Sequence, residues 1–431
     1  MHQRPAGTRW RGFAAEARDA VTPRAFLLVC GIGLLQLAFI ASYIGAFHRP
    51  APHQIPVSVT APAAAAAGRA AAQLSALPGD PLDATAVPDR ATGLSKLRDR
   101  SSYGVLEISV SGNTDRLTVA SAAGTSTVNA LTSVLQTTEA RSGRRLTVVD
   151  IRPPASGDHN GLSAFYLVIG WMIGGYLAAS LLGLSSGARS ANVNRITIRL
   201  IALALYAAVT ALLGALIVGP WLHALPTDTL GLWGIGTLVV FAAGAFTTAL
   251  MTMAGIIGIG IAILLFVIAG NPSAGGAYGW PLLPPFWAAI GPWLPPGAGT
   301  DAVRGAAYFG NAGITRDLLV LGGYAAAGLV LSYATLMLLG RGHRGHRGRR
   351  RGSDAGAGPD AHGGRDADGR DFGSGPETSS EPAATGDASE PGVGPDVSGE
   401  RDPGGGPGDP GGGPGRPDTA GGGDLSPSPQ S

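Results

Sequence analysis

Cysteine, lysine and charge are all scarce in this chain of 431 residues. Its one cysteine, Cys30, excludes an intramolecular disulfide and a zinc site built from cysteines. Charged residues make up 14% of the chain, whereas about a quarter is usual in soluble globular domains. Residues 229–300 contain no Asp, Glu, Lys, Arg or His. Together these absences argue against a soluble globule and predict a membrane protein.

The basic residues do not predict a nucleic-acid partner. Of the 31 basic residues only Lys96 is a lysine, a bias that fits arginine codons in a GC-rich genome. Proteins that hold single-stranded nucleic acid combine a basic groove with aromatic side chains on which bases stack. No basic stretch of this sequence is interleaved with aromatics in that way, so we expect no nucleic-acid binding.

Six apolar, charge-free segments predict six transmembrane helices, because each is near the ~20 residues that cross a ~30 Å hydrocarbon core. They cover residues 26–47, 164–184, 200–218, 230–251, 254–270 and 318–340. The first is longer than the 7–15 residues usual in a cleavable signal peptide, so we expect an uncleaved anchor. The predicted fold class is an α-helical membrane protein: one helix, a small α/β module at 48–163, and a five-helix domain at 164–340.

Arginine placement predicts the orientation, because positively charged loops stay in the cytoplasm. Arginines are dense in the leader at residues 1–25, in the connection at 185–199 and directly after residue 340. In the connection at 271–317, by contrast, two arginines are matched by two aspartates, namely Arg304, Arg316, Asp301 and Asp317. We therefore expect a multi-pass plasma-membrane protein with both termini cytoplasmic, the module outside, and an interfacial helix in the leader near residues 10–21.

Residues 48–163 show the alternation of a small α/β module. Strands are predicted at 55–60, 103–110, 116–120 and 146–151, with helices at 61–76 and 125–140. The polar residues of the module show neither metal-ligand spacing nor a triad-like set. We therefore predict no metal, no cofactor, no catalytic residue and no enzymatic activity.

Inside the predicted spans, Cys30 is the only ionisable residue apart from tyrosines, and this lack of Asp, Glu, Lys, Arg and His counts against ion-coupled transport. Small residues at Gly170, Gly174 and Gly175 form a stripe that permits close helix approach. Packing within the bundle is the favoured interpretation of that stripe. A homodimer contact is the alternative.

The segment at 271–317 is rich in proline, which forbids a straight span. Its tryptophans suit the headgroup level of a membrane, and irregular backbone at membrane depth requires burial in protein or a water-lined cavity. We expect it to re-enter the membrane, with a lip formed by Trp287, Trp293, Pro295, Pro296 and Arg304.

Residues 341–431 are rich in Gly, Pro, Ser and Asp, and Phe372 is their only aromatic residue. Such a composition cannot bury enough apolar surface to offset the entropy of ordering, so a disordered cytoplasmic tail is predicted. The arginines at its start are expected to contact anionic membrane lipid.

Several stretches carry a family resemblance. They are IPVSV from Ile55, SGDHNGLSAFYLVIGWMIGGYLAAS at 156–180, GNPSAGG from Gly270 and LPPGAGTDAVRGAAYF at 294–309. With the order of the predicted parts, they resemble membrane subunits of ATP-binding-cassette exporters of the type-2 permease superfamily. They also resemble the related phage-infection-protein-like membrane proteins of actinobacteria.

That resemblance implies a transport subunit whose cytoplasmic turn at 185–199 docks on an ATPase, through Asn192, Asn194, Arg195 and Arg199. No GxxxxGK[ST] phosphate loop occurs in the chain, so the ATPase must be a separate subunit. A charge-free bundle favours an apolar or amphiphilic compound, moved outward, over an ion. The alternative function is a non-transporting receptor or envelope scaffold that acts through the external module.

Overall fold

The computed structural model describes residues 22–185, 187, 192–226 and 228–353. The predicted interfacial helix in the leader and the tail from residue 354 lie outside the described residues. Helices and strands follow in this order: α1 (Pro23–Phe47), β1 (Ile55–Thr60), α2 (Ala64–Ser75), β2 (Leu82–Ala86), α3 (Arg90–Arg98), β3 (Gly104–Glu107), β4 (Thr114–Val119), α4 (Thr125–Arg141), β5 (Arg145–Asp150), α5 (Ser163–Ser185), α6 (Val193–Leu216), α7 (Thr229–Ala254), α8 (Ile257–Ile263), α9 (Pro285–Ile290), α10 (Pro295–Phe309) and α11 (Thr315–Ser353).

Within the described residues, five helices are long and apolar enough to cross a membrane, and they identify a multi-pass membrane protein. These spans are Ala25–Phe47, Ser163–Ser185, Val193–Trp221, Thr229–Ala254 and Thr315–Leu338. Helix α7 is central and packs against α5, α6 and α11. Helix α1 lies at the edge, where the Ser42 hydroxyl donates a hydrogen bond to the Ile268 carbonyl.

The segment predicted as a span at 254–270 is a shorter apolar helix. Its seven α-helical residues continue into a six-residue π-helical stretch, Leu264–Ala269. Helix α7 ends where Gly255 adopts φ +65°, a conformation that favours glycine. At Gly258 a Cβ atom would meet the Leu250 backbone, so α8 folds closely back on α7. The seven α-helical and six π-helical residues together are fewer than the ~20 that a straight helical crossing needs.

The α/β module contains a five-stranded mixed sheet with the order β2-β1-β3-β4-β5. Strand β1 is parallel to both of its neighbours, β3 and β4 are antiparallel, and β5 is parallel to β4. All four strands and both helices expected from the sequence are present. Strand β2 and helix α3 were not predicted, because Leu82–Ala86 buries only Leu82 and α3 buries only Gly93 and Leu97.

Both faces of the sheet are covered, and residues of the membrane-associated part complete both cores. On one face, α2 and α4 bury a cluster that contains Ile55, Val57, Val59, Leu131, Leu135 and Leu282. On the other face, Leu97 and Val105 pack with Phe309 of α10. Burial of one such large side chain stabilises a fold by about 1.5–3 kcal/mol. Leu282 and Phe309 therefore bind the module to the bundle through apolar contact.

The proline-rich segment folds into short helices followed by a buried one. Pro295 and Pro296 occupy the first turn of α10, where the missing N–H groups cost no helical hydrogen bond. Helix α10 is buried over most of its length and packs against α5, α7 and α11. Helix α11 continues to Ser353, so the first residues of the predicted disordered tail are helical.

Candidate functional site

A charged cluster joins the module to the bundle. Arg100 follows α3 in a left-handed conformation, φ +58°. Its Nη1 and Nη2 atoms donate hydrogen bonds of 2.9 and 3.0 Å to Oδ1 and Oδ2 of Asp301 in α10. The same Nη2 atom lies 3.8 Å from Oδ2 of Asp317 in α11. One guanidinium group of the module thus engages two helices of the bundle, in the bidentate geometry that gives the strongest ion pairs.

Arg316 and Asp317 complete this cluster in the first turn of α11. Arg316 Nη2 lies 2.8 Å from Asp317 Oδ1 and 3.5 Å from Asp301 Oδ2. The guanidinium group also lies over the Trp280 ring, 5.4 Å from its centre. Asp317 is fully buried, and its Oδ2 atom has no hydrogen-bond partner among the described residues. Because two arginines share two aspartates, the charges of the cluster balance.

This cluster places two charged residues at the start of the last candidate span. The candidate span Thr315–Leu338 includes Arg316 and Asp317, whereas the predicted span begins three residues later, at 318. The expectation that the chain does not couple transport to an ion stays a prediction. The matched charges in the segment 271–317 were the sequence signal from which this cluster could have been predicted. Their partner Arg100 lies 201 residues from Asp301, so no local pattern pairs the two.

Arg304 of α10 stabilises the irregular backbone that follows α8. Its side chain is buried, and its Nη1 atom donates a 2.7 Å hydrogen bond to the Gly275 carbonyl. Its Nη2 atom lies 3.4 Å from the Gly276 carbonyl oxygen. Non-helical carbonyl groups away from water need such donors. The guanidinium group therefore holds the loop against α10.

An apolar groove lies beside the charged cluster, mainly along α11, with Phe246 as its lining residue from α7. Its cavity volume is about 880 Å³. We call it the α7–α11 groove; its lining includes Phe246, Trp293, Arg316, Leu319, Gly323 and Tyr324. Leu319 and Trp293 are 71% and 63% exposed, so the groove opens to the outside of the bundle. Arg316 belongs to both features and places a guanidinium group at one end of the groove.

The predicted lip residues do not form one surface. Trp293 lines the α7–α11 groove, while Trp287 belongs to α9 and contacts Phe286 with ring centres 5.0 Å apart. Pro295 and Pro296 are buried at the start of α10. A lip formed by these residues therefore stays a prediction. Sequence reasoning did not predict that α10 would be enclosed, and it missed the groove residues of α11 and Phe246 of α7.

The predicted ATPase-contact turn divides into exposed and structural residues. Asn192 caps α6, and its Oδ1 atom accepts a 2.9 Å hydrogen bond from the Arg195 backbone N–H. The side chains of Asn194 and Arg195 are exposed in the first turn. Arg199 is buried, and its Nη2 atom donates a 2.8 Å hydrogen bond to the Gly187 carbonyl. Arg195 is thus available for an external contact, whereas Arg199 shapes the turn.

The glycine stripe of α5 is used in part by the bundle. A Cβ atom at Gly175 would lie 2.5 Å from the Val240 carbonyl oxygen, so this glycine permits the close approach of α5 and α7. Gly170 has open space around it and lines a second cavity, of about 530 Å³, between α5 and α6. Packing within the bundle accounts for Gly175. The homodimer contact stays a prediction.

A second buried charge cluster lies within the module. Arg144 donates hydrogen bonds to Asp115 and lies 3.6 Å from Glu139. Burial opposes the charge on Asp115, but hydrogen bonds from Arg144 and Ser109 hold its pKa below the usual value. Burial, together with repulsion from Asp115, raises the pKa of Glu139 to about 7. This cluster joins α4 to the β4–β5 pair, far along the chain from the groove.

Comparison with known proteins adds no assignment: neither a family model, nor a curated protein, nor a solved structure matches the chain. In the part of the chain that the structure describes, no three His, Cys, Asp or Glu side chains are grouped closely enough to hold a metal ion. The α7–α11 groove and its charged end are therefore the candidate functional site on the strength of their geometry.

Proposed function

We propose that the chain is a permease-like subunit that moves an apolar or amphiphilic compound outward, together with a separate ATPase. The observation that carries this proposal is the α7–α11 groove: a large apolar recess, open to the side, that runs along one helix of membrane-spanning length and includes Phe246 of a second. Ligand sites are mostly apolar recesses with a few polar groups that set orientation. Here Arg316 and Thr315 supply those groups at one end.

We also propose a plasma-membrane location with both termini in the cytoplasm and the module outside. Positive residues flank the ends that this topology places inside. The proposal includes a sixth crossing of the membrane. Helix α8, which is shorter than the bilayer is thick, and the irregular loop after it would form this crossing together. This stretch reaches the module. There the Gly279 N–H lies 3.3 Å from the Ser126 hydroxyl, and the Pro281 carbonyl accepts a 2.8 Å hydrogen bond from the backbone N–H of His53.

The orientation is testable by chemical labelling. Ser111 is an exposed residue of the module. A cysteine placed there in a Cys30→Ser background should react with a membrane-impermeant maleimide on intact cells. The same background without the new cysteine is the control. Labelling that requires cell lysis would place the module in the cytoplasm and reverse the proposed topology.

The ATPase contact is testable at Arg195, which is exposed. The nearby Arg199 holds the turn through its hydrogen bond to Gly187 and is left unchanged. Arg195→Glu reverses the charge at the proposed docking surface without removing a buried contact, so insertion should be normal and ATPase association weaker. The readout is the amount of ATPase that copurifies at equal membrane abundance. Arg69→Glu, at an exposed position of α2 in the module, is the matched control and should copurify as much ATPase as wild type.

The receptor or scaffold function has one supporting observation of its own. Among the described residues, β5 pairs only with β4, and most of its positions are exposed. An open sheet edge can accept a strand from a partner protein. If wild-type protein copurifies no ATPase under gentle extraction, the transport proposal fails and this second function replaces it.

A further inference from the structure

We propose that the α7–α11 groove binds one acyl chain of a phospholipid, whose phosphate group accepts a hydrogen bond from Arg316. The inference deepens the export function proposed above and rests on it for the fate of the bound molecule. Binding itself needs no ATPase and can be measured on the subunit alone.

The length of the groove fits an acyl chain. Its lining runs along α11 from Thr315 to Ala327, which corresponds to about 18 Å of helix at 1.5 Å per residue. One leaflet contributes about half of the ~30 Å hydrocarbon core of a bilayer. The apolar groove is therefore about as long as one leaflet is thick, and a compact apolar solute would cover only part of that length.

The polarity of the groove fits a lipid in one orientation only. Arg316 and Thr315 lie at the end nearest the module, and Trp293 lines the groove while Trp280 stacks on Arg316. Tryptophans prefer the headgroup level of a membrane. From there the lining is apolar towards Ala327. A lipid would thus place its headgroup beside the module and its chain along α11.

Arg316 retains a donor for a ligand. Its Nε and Nη2 atoms donate to Asp317 Oδ1, and its Nη1 atom makes no hydrogen bond within the described residues. The side chain is 44% exposed. The two hydrogen bonds to Asp317 and the contact with the Trp280 ring hold the guanidinium group in place. A fixed guanidinium edge suits phosphate oxygens better than a flexible ammonium group.

A larger side chain at Gly323 would fill the groove without a clash. No atom lies within 4 Å of a Cβ atom built on Gly323, which lines the groove. A leucine at this position should therefore occupy ligand space without displacing protein atoms. The preceding residue, Gly322, also has no atom within 4 Å of its Cβ position but is not part of the lining. Gly322→Leu is thus a matched control on the same helix.

The experiment uses full-length protein in an alkyl maltoside detergent, which contains no phosphate. The probe is palmitoyl lysophosphatidylcholine with a photoreactive diazirine near the end of its chain. Monopalmitoylglycerol with the same diazirine is the comparison probe without phosphate. We expect saturable labelling of peptides from α7 and α11, reduced about tenfold by Gly323→Leu and changed less than about twofold by Gly322→Leu.

Arg316→Gln should weaken binding of the phosphate probe about tenfold, the effect of one hydrogen bond to a charged group, and leave the glycerol probe within about twofold. Arg316→Lys keeps the charge in the cluster and should give an intermediate loss of binding to the phosphate probe. This variant keeps the test valid if the glutamine variant fails to fold. Labelling that ignores Gly323→Leu, or equal effects of Arg316→Gln on both probes, would overturn the proposal. If the probe binds as expected but no ATPase copurifies, the binding site stands and the export function fails.

Discussion

Replacing Arg100 with alanine should lower the free energy of unfolding by about 3–5 kcal/mol, because removal of one member of a buried ion pair leaves an uncompensated buried charge. Here two carboxylates lose a partner: Asp301, bound at 2.9 and 3.0 Å, and the fully buried Asp317. The measurement is thermal unfolding of the full-length protein in detergent. The module should separate from the bundle at a lower temperature than in wild type.

Arg98→Ala is the matched control for this change. Arg98 is an exposed arginine in the last turn of α3, and surface substitutions of this kind usually change stability by less than about 0.5 kcal/mol. Asp301→Asn should be less harmful in the Arg100→Ala background than in wild type, because the two residues act on one interaction. Equal behaviour of Arg100→Ala and Arg98→Ala would show that the charged cluster does not hold the module.

Gly328→Val should disrupt the packing of α11 on α7 and cost about 3 kcal/mol, at the upper end of the usual penalty for overpacking. A Cβ atom at Gly328 would lie 2.5 Å from the Ala245 carbonyl carbon and 2.6 Å from the Phe246 nitrogen. These are backbone atoms of a neighbouring helix and cannot rotate away as a side chain could. The two helices must therefore move apart, which also deforms the α7–α11 groove beside Phe246.

Gly322→Val separates the steric effect from the helix propensity of valine. It introduces the same side chain in the same helix, but at a position with no atom within 4 Å of the Cβ atom. The yield of monodisperse protein after extraction and the midpoint of thermal unfolding are the measurements. We expect Gly322→Val to resemble wild type. Gly328→Val should give a lower yield of monodisperse protein and a lower midpoint of thermal unfolding. Similar behaviour of the two variants would mean that α11 and α7 can separate at little cost.

Local periodicity predicted much of the secondary structure, but weak local signals were missed. The alternation in Ile55–Thr60 predicted β1, and the apolar face of Thr125–Arg141 predicted α4. Strand β2 has one buried residue, Leu82. It is a strand because it pairs with β1 and because α2 packs on it. Pairing with a neighbour is a tertiary event, and no pattern within five residues reports it.

The candidate site was the least predictable part. The segment that contains Trp293 and Arg304 was recognisable from its prolines and tryptophans, yet the structure encloses α10 and assigns Arg304 to backbone carbonyl groups. The α7–α11 groove needs Phe246 and Gly323 from helices separated by some 60 residues of irregular and short helical structure. Whether two neighbouring helices leave a space between them depends on how they pack, and the apolar sequence of each helix does not report it.

The sequence by itself determined that this is a membrane protein with an α/β module after its first apolar helix, because hydrocarbon length and side-chain alternation act along the chain. Only the tertiary structure decided that the segment at 254–270 is a short helix, that Arg100 meets Asp301 and Asp317, and that a groove ends at Arg316. Those features depend on which helices approach one another, at glycines such as Gly258 and Gly328. Close approach is a property of two surfaces together, so neither segment encodes it alone.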